Sequence, residues 1–201
     1  MGGIVAFLDL ETTGLSPSCS VVSASCVLVK IPPAGEPVKT DVFNRYYYPE
    51  EGKNRAVRIN GLSLEEISKH RAMATYPRFF RDDSESLRIF LRPAGLFIAH
   101  NLRFDASFLP FKLDPGLCTM RFHDHLKSIT GKRRFGPSLE VLARHYGIIV
   151  DLSKRHTSLY DVELLVSIFQ RMLKHTESNH RLLQVFRGAF GQNFQWDLSP
   201  E

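Results

Sequence analysis

Residues 4–10 (IVAFLDL) form an apolar, partly β-branched run followed at once by turn residues, the signature of a buried strand. What ends the run constrains the chain most: Asp9-Leu10-Glu11. Strand side chains alternate between faces, so Asp9 and Glu11 point the same way, side by side. Two carboxylates that close raise each other's pKa and repel unless a cation stands between them, and Mg²⁺ or Mn²⁺ is the usual ion for such oxygens. The plainer alternative is that the strand has ended and both acids are solvated. Taken alone, a D-x-E favours that alternative.

Behind this strand, TTGLSPS is turn chemistry with Gly14 and Pro17 as breakers. Residues 21–31 and 42–48 read as two more strands, joined through Pro32, Pro33 and Gly35, so the chain opens as an antiparallel meander. The pattern then changes. Residues 82–92 carry Leu87, Phe90 and Leu91 at helical spacing, with Ser84 or Ser86 as a candidate cap. A short strand at 95–99 leads into a helix at 104–110, and helical periodicity returns at 138–146 and 158–173. Strands first, then alternating helices and strands, predict an α/β fold with a mixed sheet flanked by helices. Residues 176–201 read as a short final helix and an aromatic tail (Phe186, Phe190, Phe194, Trp196) that packs back onto the domain.

With 201 residues, 43% hydrophobic and 23% charged, the composition is that of an ordinary globular chain of one domain, or one domain with a short appendage. The net charge of +5 permits a polyanionic partner without identifying one. No apolar run approaches a membrane span, no secretory signal is expected, and Ala6 stands where a myristoylation site needs Ser or Thr. Cys19, Cys26 and Cys118 are too few and too scattered for a disulfide framework or a zinc cluster. The expectation is a reduced, cytoplasmic or otherwise intracellular protein.

Two further acidic sites follow. In AHNLRFDASFL a strand ends at His100-Asn101 and Asp105 falls in the first turn of the next helix, where the helix dipole alone accounts for an acid. In HTSLYD, Ser158 and Asp161 match a capping box, with His156 just before the helix. His123-Asp124-His125 matches no standard zinc spacing and reads as a surface helix face.

Together the three acidic segments resemble the motifs of the DEDDh 3′→5′ exonucleases, the family of the proofreading subunit of bacterial DNA polymerase III, exonuclease X, ribonuclease T and oligoribonuclease. FLDLETTGLSP is similar to the first motif, FIAHNLRFDASFL to the second and HTSLYDVELLVSIF to the third. The resemblance covers residues 4–173, and CTMRFHDHL and SLEVLARHYGI agree with it. It implies a ribonuclease H-like fold, a catalytic domain over residues 1–175, and four metal-binding acids at Asp9, Glu11, Asp105 and Asp161. It also implies a general base at His156, five residues before Asp161 as in the His branch; the sister branch's Tyr position holds Thr157.

The implied reaction is phosphodiester hydrolysis with two Mg²⁺ ions, for which Mn²⁺ substitutes: Asp9 bridges them, the other acids complete their shells, and His156 takes a proton from the attacking water. The substrate contacts the resemblance points to are main-chain groups at Thr12 and Thr13, an apolar wedge at Leu15, and Asn60, His100, Asn101 and Phe104. For Leu15 a turn residue packed on the core is an equal alternative. Many relatives have Glu where Ser23 stands, and His where Asn60 stands. Lys154 and Arg155 before the last motif, and Arg121, Lys127 and Lys132 to Arg134, are candidates for phosphate contact, although a solvated loop is the commoner meaning of such a run. The expected partner is a nucleic acid, DNA 3′ ends first and RNA ends second, within a polymerase or repair complex, and no membrane. An inactive nuclease-like binding subunit would have no reason to keep all five catalytic residues.

Overall fold

The computed structural model describes residues 2–128, 136–154 and 156–196. Three strands open the chain: β1 (Gly3–Thr12), β2 (Val21–Ile31) and β3 (Val38–Tyr46). Two short helices, α1 (Val57–Asn60) and α2 (Leu64–His70), precede a 3₁₀ turn and α3 (Ser84–Leu91). Then come β4 (Leu96–Ala99), α4 (Leu102–Ser107), β5 (Gly116–Cys118), α5 (Thr119–Phe122), α6 (Leu139–His145), α7 (Ser158–Lys174) and α8 (Thr176–Phe190). The sheet order is β3-β2-β1-β4-β5, antiparallel across β1–β2–β3 and parallel across β1–β4–β5. The expected meander followed by parallel strands is present.

The alternation of β1 builds two cores. Val5 and Phe7 face the layer of α6, α7 and α8, where they pack with Leu142, Val162, Phe169 and Phe186. Ala6, Leu8 and Leu10 face the other layer, with Leu87 and Leu91 of α3. The rings of Phe7, Phe169 and Phe186 form a chain with centroids 5.0 and 6.0 Å apart, fastening α7 and α8 to the sheet. Each such buried side chain contributes roughly 1.5–3 kcal/mol of transfer free energy. The aromatic tail packs inward: Phe194 and Trp196 lie against Phe186, and the Phe190 ring lies 2.6 Å from where a Cβ on Gly95 would stand.

Local departures from the expected elements have physical causes. β3 runs 38–46 rather than 42–48, because an edge strand tolerates the exposed polar stretch Lys39-Thr40-Asp41 as long as its main chain pairs with β2. α8 is a full 15-residue helix, not a short one. α1 and β5, of four and three residues, are too short to leave a periodic signal, and α2, of seven residues, is not among the expected elements either. Neither Ser84 nor Ser86 caps α3; the residue before it, Asp83, gives its carboxylate to Arg45 at 2.7 and 2.8 Å and to the Tyr47 hydroxyl at 2.8 Å. No described helix is long and apolar enough to cross a membrane.

Candidate active site

Asp9 and Glu11 continue the face of β1 that carries Val5 and Phe7, so the strand delivers both carboxylates toward the start of α7. Opposite them on β2 stand Ser25, paired with Asp9, and Ser23, paired with Glu11. The β1–β4 pairing ends at Phe7 and Ile98, and beyond it the Leu10 N–H donates to Asp105 Oδ1 at 3.1 Å. Asp105 is thereby held at only 2% exposure, at the start of a helix entered through Asn101, whose φ of +70° belongs to the left-handed region that Asn tolerates. From the third segment, His156 and Asp161 come within 4.8 Å of Glu11 when measured between their ligand-type atoms. His156 sits at φ +61°, an unfavourable conformation for a side chain with a Cβ, and its main-chain N–H stabilises the Asp161 carboxylate. All five expected catalytic residues therefore converge on one place.

The electrostatics there are those of a site short of positive charge. Burial, then the charges of Asp105, Glu11 and Asp161, push the Asp9 carboxyl well above the usual range. Burial, then Asp161 and Asp105, raise Glu11 to about 8, against a weaker lowering by Asn60. Asp105 is raised to about 8 by burial, opposed by the Leu10 hydrogen bond, and Asp161 to about 6 by burial, opposed by the His156 main chain. Among the described residues, Asp9 Oδ2 is the one buried side-chain polar atom with no hydrogen-bond partner. Hard oxygen donors, crowded negative charge and an orphaned carboxylate oxygen are what a divalent cation resolves, so these residues fit a metal site.

The capping box is not formed. Thr157 takes the cap position but its hydroxyl donates to Lys154 O at 2.6 Å and makes no capping bond, and the Ser158 hydroxyl is buried against Ser23 at 2.6 Å and Ser25 at 2.7 Å. Two residues apart, Ser23 and Ser25 lie on one face of β2, but their place opposite Glu11 and Asp9 comes from the β1–β2 register, and their link to Ser158 left no sequence signal. Glu51 also escaped sequence reasoning. It accepts hydrogen bonds from the hydroxyls of Thr13 and Ser20, while the Thr13 N–H donates to Ser20 O at 2.9 Å, closing the turn after β1. Thr12 Oγ1 donates to Gly14 O at 2.7 Å within the same turn.

Leu15, at the tip of that turn, is 86% exposed, which removes the alternative of a residue packed on the core. Asn60 is buried and donates to Thr12 O at 3.2 Å while accepting from Asn54 at 2.9 Å, tying α1 to the turn. His100 Nδ1 lies 3.1 Å from Thr119 Oγ1, and Phe104 packs on Phe108 with ring centroids 4.9 Å apart. Lys154 pairs with Asp151 at 3.3 Å on the surface. Arg155, Lys132, Arg133, Arg134 and the side chain of Lys127 lie outside the described residues.

The expected surface face at 123–125 is corrected at His123, which is fully buried. Its Nδ1 is 2.8 Å from Thr119 O and its Nε2 2.7 Å from the Tyr146 hydroxyl, which is 2.8 Å from Ser178 Oγ. A histidine in a short polar segment is drawn inside when neighbouring elements supply both ring nitrogens with partners.

The sequence pattern of the exonuclease family RNase_T matches residues 6–169. The chain is 31% identical over 178 residues to the PolC-type DNA polymerase III of Staphylococcus saprophyticus, covering 85% of this chain and 11% of that protein. It spans about a ninth of the length of such relatives. Its fold superimposes on exonuclease X in complex with 5′-overhanging duplex DNA (TM-score 0.60, 18% identity, 86% of this chain and 93% of that one). It also superimposes on zinc-bound Escherichia coli exonuclease I with single-stranded DNA (TM-score 0.63, 17% identity, 94% and 44%). The fold is ribonuclease H-like, and the chain belongs to the DEDD exonuclease family.

Proposed function

We propose that this chain is a metal-dependent 3′→5′ exonuclease that shortens single-stranded or frayed DNA ends to 5′-mononucleotides, with His156 as general base. The observation that carries this reading is the orphaned Asp9 Oδ2 inside a cluster of four carboxylates, with His156 beside Glu11 and Asp161. Asp9, Glu11, Asp105 and Asp161 would hold two divalent cations, Mg²⁺ first and Mn²⁺ as a substitute. When bound, such ions supply positive charge to the scissile phosphate and acidify a water.

The residues of the chain do the rest. His156, exposed at the rim, takes the proton as the water oxygen bonds to phosphorus and the bond from phosphorus to the 3′-oxygen breaks. The turn held by Glu51 and Asn60 offers its main chain to the terminal nucleotide, and the exposed Leu15 supports the last base. Single strands are favoured because unpairing a base costs energy that a frayed end does not. The PolC-type relatives support a setting beside a polymerase, where such an activity removes misincorporated 3′ nucleotides.

The test is a time course on matched DNA and RNA strands labelled at the 5′ end, with Mg²⁺ and with excess EDTA. A DNA ladder shortening nucleotide by nucleotide, absent in EDTA, is the expected result. Early internal fragments, full-rate cleavage of a 3′-blocked strand, or undiminished cleavage in EDTA would overturn the reading; preferential shortening of RNA would reassign the substrate.

A further inference from the structure

Behind the carboxylates lies a chain of buried hydroxyls whose direction follows from donor counting. Ser25 Oγ donates to Asn44 Oδ1 on β3 at 2.9 Å. A hydroxyl has one hydrogen, so Ser25 can only accept from Ser158 at 2.7 Å, and Ser158, its hydrogen now engaged, can only accept from Ser23 at 2.6 Å. The order is Ser23 to Ser158 to Ser25 to Asn44. Two consequences follow. The first turn of α7, with Asp161 three residues on and His156 two residues back, is fastened to the two β2 positions that pair with Glu11 and Asp9. And no hydroxyl hydrogen is left over for those carboxylates, so the chain braces them without neutralising them.

We propose that Ser158 is a positioning residue which, through Ser23 and Ser25, sets the separation of Asp161 from the β1 carboxylates and thereby the affinity for divalent cations. This rests on the metal-site reading above. At position 23 this chain has a hydroxyl whose hydrogen is committed to α7.

The test uses the full chain and Mn²⁺ alone, with bound metal counted from the loss of the free-ion electron paramagnetic resonance signal and melting measured in parallel in EDTA. Ser158→Ala is expected to raise the Mn²⁺ dissociation constant about 10–100-fold, in the range seen when partners that orient metal ligands are removed. Ser23→Ala removes one link and keeps the Ser158–Ser25 bond, so a smaller rise, several-fold, is expected; it decides the matter should Ser158→Ala not fold. Ser167→Ala, on the same helix but bonded to Glu163 O, is expected to bind Mn²⁺ as the parent does. Folded Ser158→Ala and Ser23→Ala proteins that melt earlier yet keep the parent dissociation constant would make the chain merely structural and overturn the proposal. No Mn²⁺ binding by the parent protein would overturn the metal-site reading itself, and this proposal with it.

Discussion

The buried cluster around His123 and the buried cluster around Asp9 differ in whether their polar atoms are satisfied. Around His123 both ring nitrogens have partners, and the line runs on through Tyr146 and Ser178 to His175 Nδ1 at 3.4 Å. Burial lowers His123 to about 4 and keeps it neutral, as a closed network requires. Around Asp9 the carboxylates are crowded, each is raised, and one oxygen has no partner at all. A fully paired polar network stabilises one packing; an unpaired one is tolerated only where something else binds. The contrast separates a closed polar network from the cluster proposed to hold metal.

The widest separation is expected from Asp9→Asn. Removing the orphaned charge should lower the exonuclease rate by at least about three orders of magnitude, since it takes away a ligand on which the chemistry depends. The same change should raise the melting temperature in EDTA near pH 8, because an amide, unlike a carboxyl that is ionised in the unfolded chain, is buried without taking up a proton or carrying an unpaired charge. A variant that loses activity and stability together would break the comparison.

The pH dependence of stability should carry opposite signs for the two clusters. Glu11 and Asp105, raised to about 8, keep protons in the folded state that the unfolded chain has released above about pH 4.5. Stability without metal therefore falls as pH rises toward 8. His100 and His123, lowered to about 4, bind protons only when unfolded between about 4 and 6.5, so their contribution is lost as pH falls through that window. From pH 6.5 to 8 only the carboxylates act, and melting in EDTA should decline there, with Mg²⁺ abolishing the decline. A flat profile in EDTA would remove the electrostatic half of the contrast.

Tyr146→Phe probes the other cluster. It leaves His123 Nε2 without its donor and should cost about 1–3 kcal/mol of stability, read from chemical denaturation, while Mn²⁺ affinity stays unchanged. The smallest effect is expected at Leu15. Leu15→Ala should raise KM a few-fold on single-stranded DNA with little change in kcat, since an exposed side chain supplies binding and takes no part in the chemistry.

How much of this was legible in the sequence follows from range. β1, its D-x-E ending and the long α7 are local patterns, and an apolar run closed by turn residues and period-3.6 spacing revealed them. Asp105, His156 and Asp161 could be named as site residues only through resemblance, because their meeting with β1 depends on topology rather than on spacing. Ser158 shows the limit: its sequence neighbours read as a cap, and only the approach of β2 from 135 residues away gives its hydroxyl another partner. The role of Glu51 and the burial of His123 were illegible for the same reason, since Glu51 and His123 Nε2 find partners across turns and helices that leave no periodic trace.

The most direct measurement is calorimetric titration of Mn²⁺ into the protein at pH 7 in two buffers of different ionisation enthalpy. If the carboxylates of Glu11 and Asp105, raised to about 8, are held largely protonated until a cation arrives, binding must release protons, and the apparent enthalpy will differ between buffers. The expected result is binding with net proton release, strongly weakened in Asp105→Asn and unchanged in Tyr146→Phe. Absence of binding, or binding that releases no protons and survives Asp105→Asn intact, would contradict the assignment of this cluster as the metal site.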